Sequence, residues 1–461
     1  VIALLPELVG DGLSVPCADG IERPYLNLDA AASTNALAAV ARRVEDFMPW
    51  YSSVHRGAGY KSRQATAAYE HARASAMRFA GRDPDGDHDV AIICRNTTEA
   101  INHLAYRLQL DRDDVVVTTV VEHHANLLPW GRVARRRFVE CGPDGRFGID
   151  DVRAALAASP RPKLLAVTGA SNVTGWLPPI DELVAVAHHA GVPVLVDAAQ
   201  LAPHRPLPAA ADYLAWSGHK MYAPFGAGIL VGPRSTFEHG DPFLAGGGAV
   251  DLVDLDEVAW TDPPDREEAG SPNVIGAVAL DAAIEALDHI GWPAVTSHDD
   301  MLARRLRAGL ANIAGVRLLG PPLDEQTLPI ATFVVDGMHH ALVAARLSAE
   351  HAIGVRHGCF CAHPYLMRLL GLSASEIRAY RDAVLHHDRR NVPGAVRASA
   401  GLSTSAQDID RFLAALEAIV TRGSAPLAYS QDPHTGDFWP EGGGSGWSAE
   451  DRAMGASCAR G

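Results

Sequence analysis

VPVLVDAAQLAPHRPLPAAADYLAWSGHK, residues 192–220, fixes the reading of the whole chain. Val192 to Val196 is a short apolar, β-branched run of the kind buried on both faces of a parallel sheet, and it delivers Asp197 to its C-terminal end. Ligands of open α/β sheets bind beyond that end. Ala211 to Trp216 predicts a second strand, which runs straight into Ser217-Gly218-His219-Lys220 and brings Lys220 to the same crevice. Taken singly, an Asp at a strand end is usually a turn residue and a Lys is usually solvated. An acid and an amine at neighbouring strand ends are together what pyridoxal phosphate requires. The lysine forms the Schiff base, and the carboxylate keeps the pyridinium nitrogen protonated so that the ring takes up electrons.

The alternation continues on both sides. Val90 to Cys94 predicts a buried strand, after which Arg95-Asn96-Thr97-Thr98 leads into a helix at Glu99. Hydroxyls and free backbone N–H groups there make either an ordinary Thr N-cap or a seat for a cofactor phosphate. Val115 to Val121 is a further strand and ends in Glu122-His123-His124-Ala125-Asn126; Lys163 to Thr168 is another, followed by Ser171-Asn172-Val173-Thr174-Gly175. Asp181 to Ala190 is an amphipathic helix, and Ala227 to Val231 adds a strand beyond Lys220. Strands and helices thus alternate from Val90 to Gly232, the signature of a mostly parallel sheet with crossovers, and every polar cluster follows a strand.

Upstream, Tyr25 to Ser33 reads as a short strand and turn, and Ala65 to Phe79 has helical spacing with Tyr69, Ala72 and Met77 on an inner face. His55 and Arg56 fall in a loop before that helix, which reads equally well as plain surface. Downstream, helices at 301–313, 342–351, 373–387 and 406–421 surround a strand at 329–335, predicting a smaller α+β unit. Beyond Gly423 a tail is expected to be flexible at Gly442-Gly443-Gly444-Ser445-Gly446, with Phe438, Trp439 and Pro440 packed down.

The length of 461 residues exceeds one ordinary core. The expected division is an N-terminal segment 1–24, a large domain 25–290, a small C-terminal domain 291–423 and a tail 424–461. A formal charge of −15 argues against nucleic acid or an anionic membrane as partner, and no apolar run is long enough to span a bilayer. The start VIALLPELVGDGL lacks the basic and apolar regions of a signal peptide, so a cytoplasmic location is expected. Six cysteines are too sparse and irregular for a disulfide framework. Cys359-Phe360-Cys361 is a weak metal signal without a second ligand pair, and no metal is expected; a nucleophile is the better use of the pair.

LDAAAS (28–33), VHRG (54–57), TTEAIN (97–102), EHHANLLPW (122–130), SNVTG (171–175), VDAAQ (196–200), SGHK (217–220), EAGSPN (268–273), the Cys361 segment and VRAS (396–399) stand in one order along the chain. In that order they resemble the class V aminotransferase group of pyridoxal phosphate enzymes, and within it the group II cysteine desulfurases, relatives of selenocysteine lyases. The resemblance covers Tyr25 to Thr421. It implies a fold-type-I α/β architecture, a mostly parallel mixed sheet in a large domain with a smaller α+β C-terminal domain. It also implies that Lys220 carries the cofactor and shuttles the Cα proton, Asp197 pairs with the ring nitrogen, His123 stacks on the ring, and Gln200 bonds the phenolic oxygen. Thr97, Thr98, Ser217 and His219 would hold the phosphate, with Ser271 supplied to it by a second subunit, so that a homodimer is expected. Arg397 would fork the substrate carboxylate with Asn172 assisting. His55 would lie near the substrate, Arg356 would position the nucleophile, and Cys361 would be that nucleophile; a buried structural thiol is the bland alternative.

The sequence departs from the family in several places: Asn96 replaces a glycine, Gly59 stands where a histidine is frequent, and the connection from Cys361 to Arg397 is longer. Cys359-Phe360 replaces a His-His pair, a feature similar to the desulfurase-like domain of molybdenum cofactor sulfurases. The resemblance implies conversion of L-cysteine to L-alanine with a persulfide on Cys361, passed to an acceptor protein or small molecule. Two other readings stay open: a C–S or selenocysteine lyase that does not need Cys361, and a sulfur-delivery partner with weak catalysis.

Overall fold

The computed structural model describes residues 5–423, 425–441 and 446–447, so residues 442–445 of the tail's glycine run lie outside the described residues. Near the N-terminus Leu26–Asn27 forms a short strand (β1), and Tyr60–Phe79 a helix (α1) that begins before the expected Ala65 and buries Tyr69, Ala72 and Met77.

A seven-stranded sheet follows from Asp89–Cys94 (β2), Val115–Thr119 (β3), Arg135–Val139 (β4), Leu164–Thr168 (β5), Val194–Asp197 (β6), Tyr213–Ser217 (β7) and Gly228–Pro233 (β8). Their order is β2-β8-β7-β6-β5-β3-β4. Strands β3 to β7 are parallel, whereas β8 runs antiparallel to both β7 and β2. Strand β2 therefore points the same way as the parallel set. Cys94, Thr119, Thr168, Asp197 and Ser217 all end on one sheet edge. Successive residues face opposite cores, Val167, Val196 and Trp216 one of them and Ala166, Leu195 and Ala215 the other, as the two-residue period of a strand requires. Thr97–Arg107 (α2) and Ile180–His189 (α3) are crossovers.

Two elements escape the sequence pattern. Strand β4 carries Arg135-Arg136-Arg137, which reads as polar loop but is a sheet edge, where charge guards against further pairing. Val274–Ile290 (α4) is apolar nearly all round and buried, so its periodicity is faint.

Trp292–Asn312 (α5) leads to an antiparallel sheet of Val316–Leu319 (β9) and Ile330–Val335 (β10). It is completed beyond His340–His351 (α6) and Ile353–Gly354 (β11) by Arg356–Gly358 (β12) and, after His363–Leu369 (α7) and Ala374–Leu385 (α8), by Ala395–Ser399 (β13). The order is β9-β10-β13-β12. Ala406–Arg422 (α9) closes its core, where Leu306, Phe333, Leu347, Val396 and Phe412 pack with Leu26 and Leu28. Strand β1, expected at the head of the large domain, thus pairs with β11 and packs with the C-terminal unit, because its two leucines fill that core.

After Gly423 the chain makes a hairpin of Tyr429–Gln431 (β14) and Phe438–Pro440 (β15) against α6. Asp437 meets His357 of β12 at 3.2 Å, and Phe438 lies 5.5 Å from the His339 ring. Among the described residues no helix is long and apolar enough to cross a membrane.

Candidate active site

The sheet edge opens into a cavity of about 490 Å³ lined by Asn96, Thr97, Thr98, His123, Asn172, Asp197, Gln200, Ser217, His219, Lys220, Arg356, Cys361 and Arg397. The polar clusters at strand ends and two segments of the C-terminal sheet thus meet in one place.

One end is a cradle of hydroxyls and backbone. Helix α2 is capped by Asn96, not by a threonine: its Oδ1 accepts the Glu99 N–H at 3.0 Å. That leaves Thr97 free to engage Ser217, whose Oγ accepts the Thr97 N–H at 2.7 Å and lies 2.6 Å from Thr97 Oγ1. The approach is close because β8 opposes the cap with Gly228, where a Cβ would sit 2.6 Å from the Asn96 backbone. Thr98 and His219 complete this end. Burial, reinforced by the Lys220 charge, lowers His219 to about 4, so it is neutral and offers a hydrogen bond rather than a charge.

In the middle, Asp197 is buried, and the one hydrogen bond to its carboxylate among the described residues comes from the Ala199 N–H at 3.1 Å. A carboxyl so poorly partnered in a dry site is raised by burial, against the pull of Ala199 and Lys220, and calls for a cationic N–H partner. His123 Nδ1 accepts the Ala125 N–H at 3.0 Å, which places the imidazole proton on Nε2. Burial, with Lys220 nearby, pushes His123 down to about 3, so a neutral flat ring faces the cavity. Gln200 donates Nε2–H to the Ala31 carbonyl at 2.6 Å, which keeps one amide hydrogen for another acceptor.

These residues fit pyridoxal phosphate: a hydroxyl-lined helix N-terminus for the phosphate, an underpartnered carboxyl for the ring nitrogen, a neutral ring for stacking, and an amine. Burial outweighs Asp197 and, with Arg397 adding to it, brings the Lys220 amine down to about 8. Below that pH the amine is protonated and not nucleophilic. Attachment of pyridoxal phosphate to the apoprotein, followed by absorbance, is therefore expected to accelerate as pH rises to about 8 and then level off. A rate still climbing well above that pH, as for an ordinary lysine, would contradict this environment.

The far end is built by the C-terminal sheet. Arg397 on β13, opposite Arg356 on β12, is buried. Its Nη1 donates to the Asn172 carbonyl at 2.9 Å and its Nη2 to Asp29 at 3.0 Å, while Nε has no partner. Arg356 lies 3.7 Å from the same Asp29. Asn172 turns its side chain to the nucleophile loop and donates Nδ2–H to the Phe360 carbonyl at 2.7 Å. The Arg397 guanidinium sits 5.1 Å above the Phe360 ring. Phe360 and Cys361 both adopt φ near 54°, a conformation that costs non-glycine residues energy and persists where surroundings enforce it. Cys361 is exposed and lines the cavity.

Two expected site residues are not brought here. His55 bonds Glu70 at 3.0 Å and packs edge-on to Tyr69, away from the cavity of its own chain, because these groups of the following helix are the ones its loop reaches. Ser271 is exposed and lines no part of that cavity. Two contributors were not assigned from sequence. Asp29 holds both arginines, and its signal lay inside LDAAAS. Glu122, fully buried, accepts from Thr119 at 2.7 Å and Asn126 at 2.7 Å and so shapes the turn that carries His123; burial pushes it up to about 8.

Residues 26–412 match the aminotransferase class-V family. Over 428 residues, 90% of this chain and 94% of the relative, it is 31% identical to a cysteine desulfurase of Haloferax volcanii. It is 35% identical to a probable cysteine desulfurase of Halalkalibacterium halodurans over 364 residues, 76% of this chain and 87% of that protein. Among solved structures, the apo cysteine desulfurase of Thermococcus onnurineus superposes with a TM-score of 0.76 at 31% identity, over 86% of this chain and 95% of that one. The S-sulfonic acid form of a cysteine desulfurase from Escherichia coli gives 0.73 at 30% identity, over 86% and 95%.

Proposed function

The chain belongs to the class-V aminotransferase family, and from that premise we propose that it is a pyridoxal phosphate-dependent cysteine desulfurase in which Cys361 takes the sulfur of L-cysteine as a persulfide and L-alanine leaves. The observation that carries this reading is that Cys361 lines one cavity with Lys220, Asp197 and Arg397.

When bound, pyridoxal phosphate supplies an electron sink for the substrate's Cα. The chain's own residues do the rest. Arg397, already oriented by Asp29 and the Asn172 carbonyl, receives the substrate carboxylate as a planar donor. Lys220 moves the proton at Cα, helped by burial that lowers its amine to about 8, so that a fraction of it is already neutral at neutral pH and most of it above pH 8. Asp197 would hold the proton of the cofactor's ring nitrogen, and neutral His123 would stack on the ring. The Cys361 thiolate attacks the substrate Sγ; the Cβ–Sγ bond breaks, a proton replaces sulfur on Cβ, and Cys361 keeps the sulfur as –S–SH. A sulfur-acceptor protein or a small thiol then removes it.

We further infer a homodimer in which Ser271, exposed and outside its own chain's cavity, completes the partner's phosphate site, and in which His55 approaches substrate in the same manner. A cytoplasmic location accords with Cys17, Cys94, Cys141, Cys359 and Cys361 being free thiols.

The test is incubation of cofactor-loaded protein with L-cysteine and a reductant. Equal amounts of alanine and sulfide are expected; pyruvate and ammonia in place of alanine would identify a lyase and overturn the reading. Arg397→Lys is expected to raise KM for L-cysteine by roughly 10- to 150-fold, the value of a charge-assisted bond of about 1.5–3 kcal/mol. An unchanged KM would remove Arg397 from carboxylate binding.

A further inference from the structure

The Cys359–Cys361 turn is a wall between two cavities. Phe360 and Cys361 face the cofactor cavity, whereas Cys359 lines a second cavity of about 370 Å³ on the other side, bounded by Leu366, Leu370, Ile377 and Val384. The second cavity lies between α7 and α8, and α8 is a helix with no buried residue, so its apolar face is left over this space. It belongs to the long connection that separates Cys361 from Arg397.

The two cysteines stand two residues apart on one closed turn. The Ala362 N–H closes the turn on the Cys359 carbonyl at 2.9 Å. The His124 N–H fixes the Cys361 carbonyl at 2.8 Å, and Asn172 fixes that of Phe360. The left-handed backbone at both Phe360 and Cys361 folds the turn back on itself, so its geometry is maintained by these contacts on each side.

We propose that Cys359 is a relay thiol that takes the sulfane sulfur from Cys361 and presents it in the second, apolar cavity. This rests on the desulfurase reading of Cys361. The Cys359 thiolate attacks the outer sulfur of the Cys361 persulfide; the S–S bond to Cys361 breaks, one to Cys359 forms, and Cys361 leaves as thiolate, taking up the proton that Cys359 gives off. One sulfane sulfur moves and no oxidant or reductant is consumed. The relay frees Cys361 for another substrate while delivery proceeds on the far side of the wall. Burial pushes the Cys359 thiol up, so the transfer gains speed as pH rises and more thiolate forms.

The experiment uses cofactor-loaded wild type, Cys359→Ser and Cys359→Ala, each given one equivalent of L-cysteine without reductant. Thiols and persulfides are then alkylated and located by peptide fragmentation, in which Phe360 separates the two positions; alanine is measured in the same samples. In wild type the sulfane sulfur is expected first on Cys361 and then on Cys359, faster at higher pH. In both variants it is expected to stay on Cys361, with alanine still formed; with excess L-cysteine and a reductant in a parallel assay, steady-state sulfide release is expected to be slowed several-fold. Alanine formed in wild type with the sulfur on Cys361 alone at every time and pH would overturn the relay and leave the desulfurase standing. No alanine from wild type would overturn the desulfurase reading, and the relay with it.

Discussion

Cys361→Ala is expected to lose alanine and sulfide formation from L-cysteine by roughly 10³-fold or more, the scale on which removal of a protein nucleophile acts. The residue is exposed on the cavity wall, and its turn is held by the His124 N–H and the Asn172 side chain donating to backbone carbonyls, bonds that involve no atom of the Cys361 side chain. The substitution therefore removes the sulfur and leaves the site's frame in place. Cofactor absorbance and its response to added L-cysteine are expected to persist, because Asp197, His123 and Lys220 are untouched. Turnover in the variant equal to wild type would sink the persulfide mechanism. It would point to a C–S or selenocysteine lyase, whose bond cleavage needs no protein thiol.

Lys220→Ala is expected to abolish turnover for a different reason. Proton transfer by a positioned group contributes about 10²–10⁴-fold, and this variant also loses covalent attachment of the cofactor. Borohydride reduction, which would fix the cofactor to the wild-type chain, is expected to fix none to the variant. Lys220→Arg should fail equally: a guanidinium keeps the charge but never provides the neutral amine that burial creates here near pH 8. Turnover close to wild type in either variant would show that another group moves the Cα proton.

The parts of this site that could be read from the chain alone are those set by local structure. Val194–Asp197 and Tyr213–Ser217 are buried runs whose ends are fixed by the run itself, so Asp197 and Lys220 fell on one sheet edge without knowledge of any distant contact. Asp29 was different. It stands in a recognisable motif, but its task of holding Arg397 exists only when two segments at opposite ends of the chain meet. Asn172 was read as a substrate ligand, yet its side chain is bonded to the nucleophile loop, because the Phe360 carbonyl, turned inward by a left-handed residue, needs a donor. Thr97 was offered as a helix cap, a role that Asn96 takes because its carbonyl oxygen reaches the Glu99 N–H. His55 and Ser271 were read from the family and lie outside this chain's cavity, and the local pattern around them gives no cue to that placement.

The pairing of Asp29 with Arg397, and of the Ala31 N–H with Ser399, joins residues 368 positions apart. Closing so long a loop is entropically disfavoured until the intervening sheet has formed and brought the two ends near each other. On the ribosome, Leu26–Asn27 and the motif after it emerge first and then wait for their partners, since β11 and β13 lie far downstream in the chain. The nascent large sheet can fold around its own strands while the carboxylate clamp and the Cys361 turn are still unmade. A nascent chain that extends past Lys220 but not yet to Arg397 thus holds the lysine and the acid but no assembled means of pulling sulfur from an amino acid. Sulfur chemistry begins only when the molecule is complete enough to contain it.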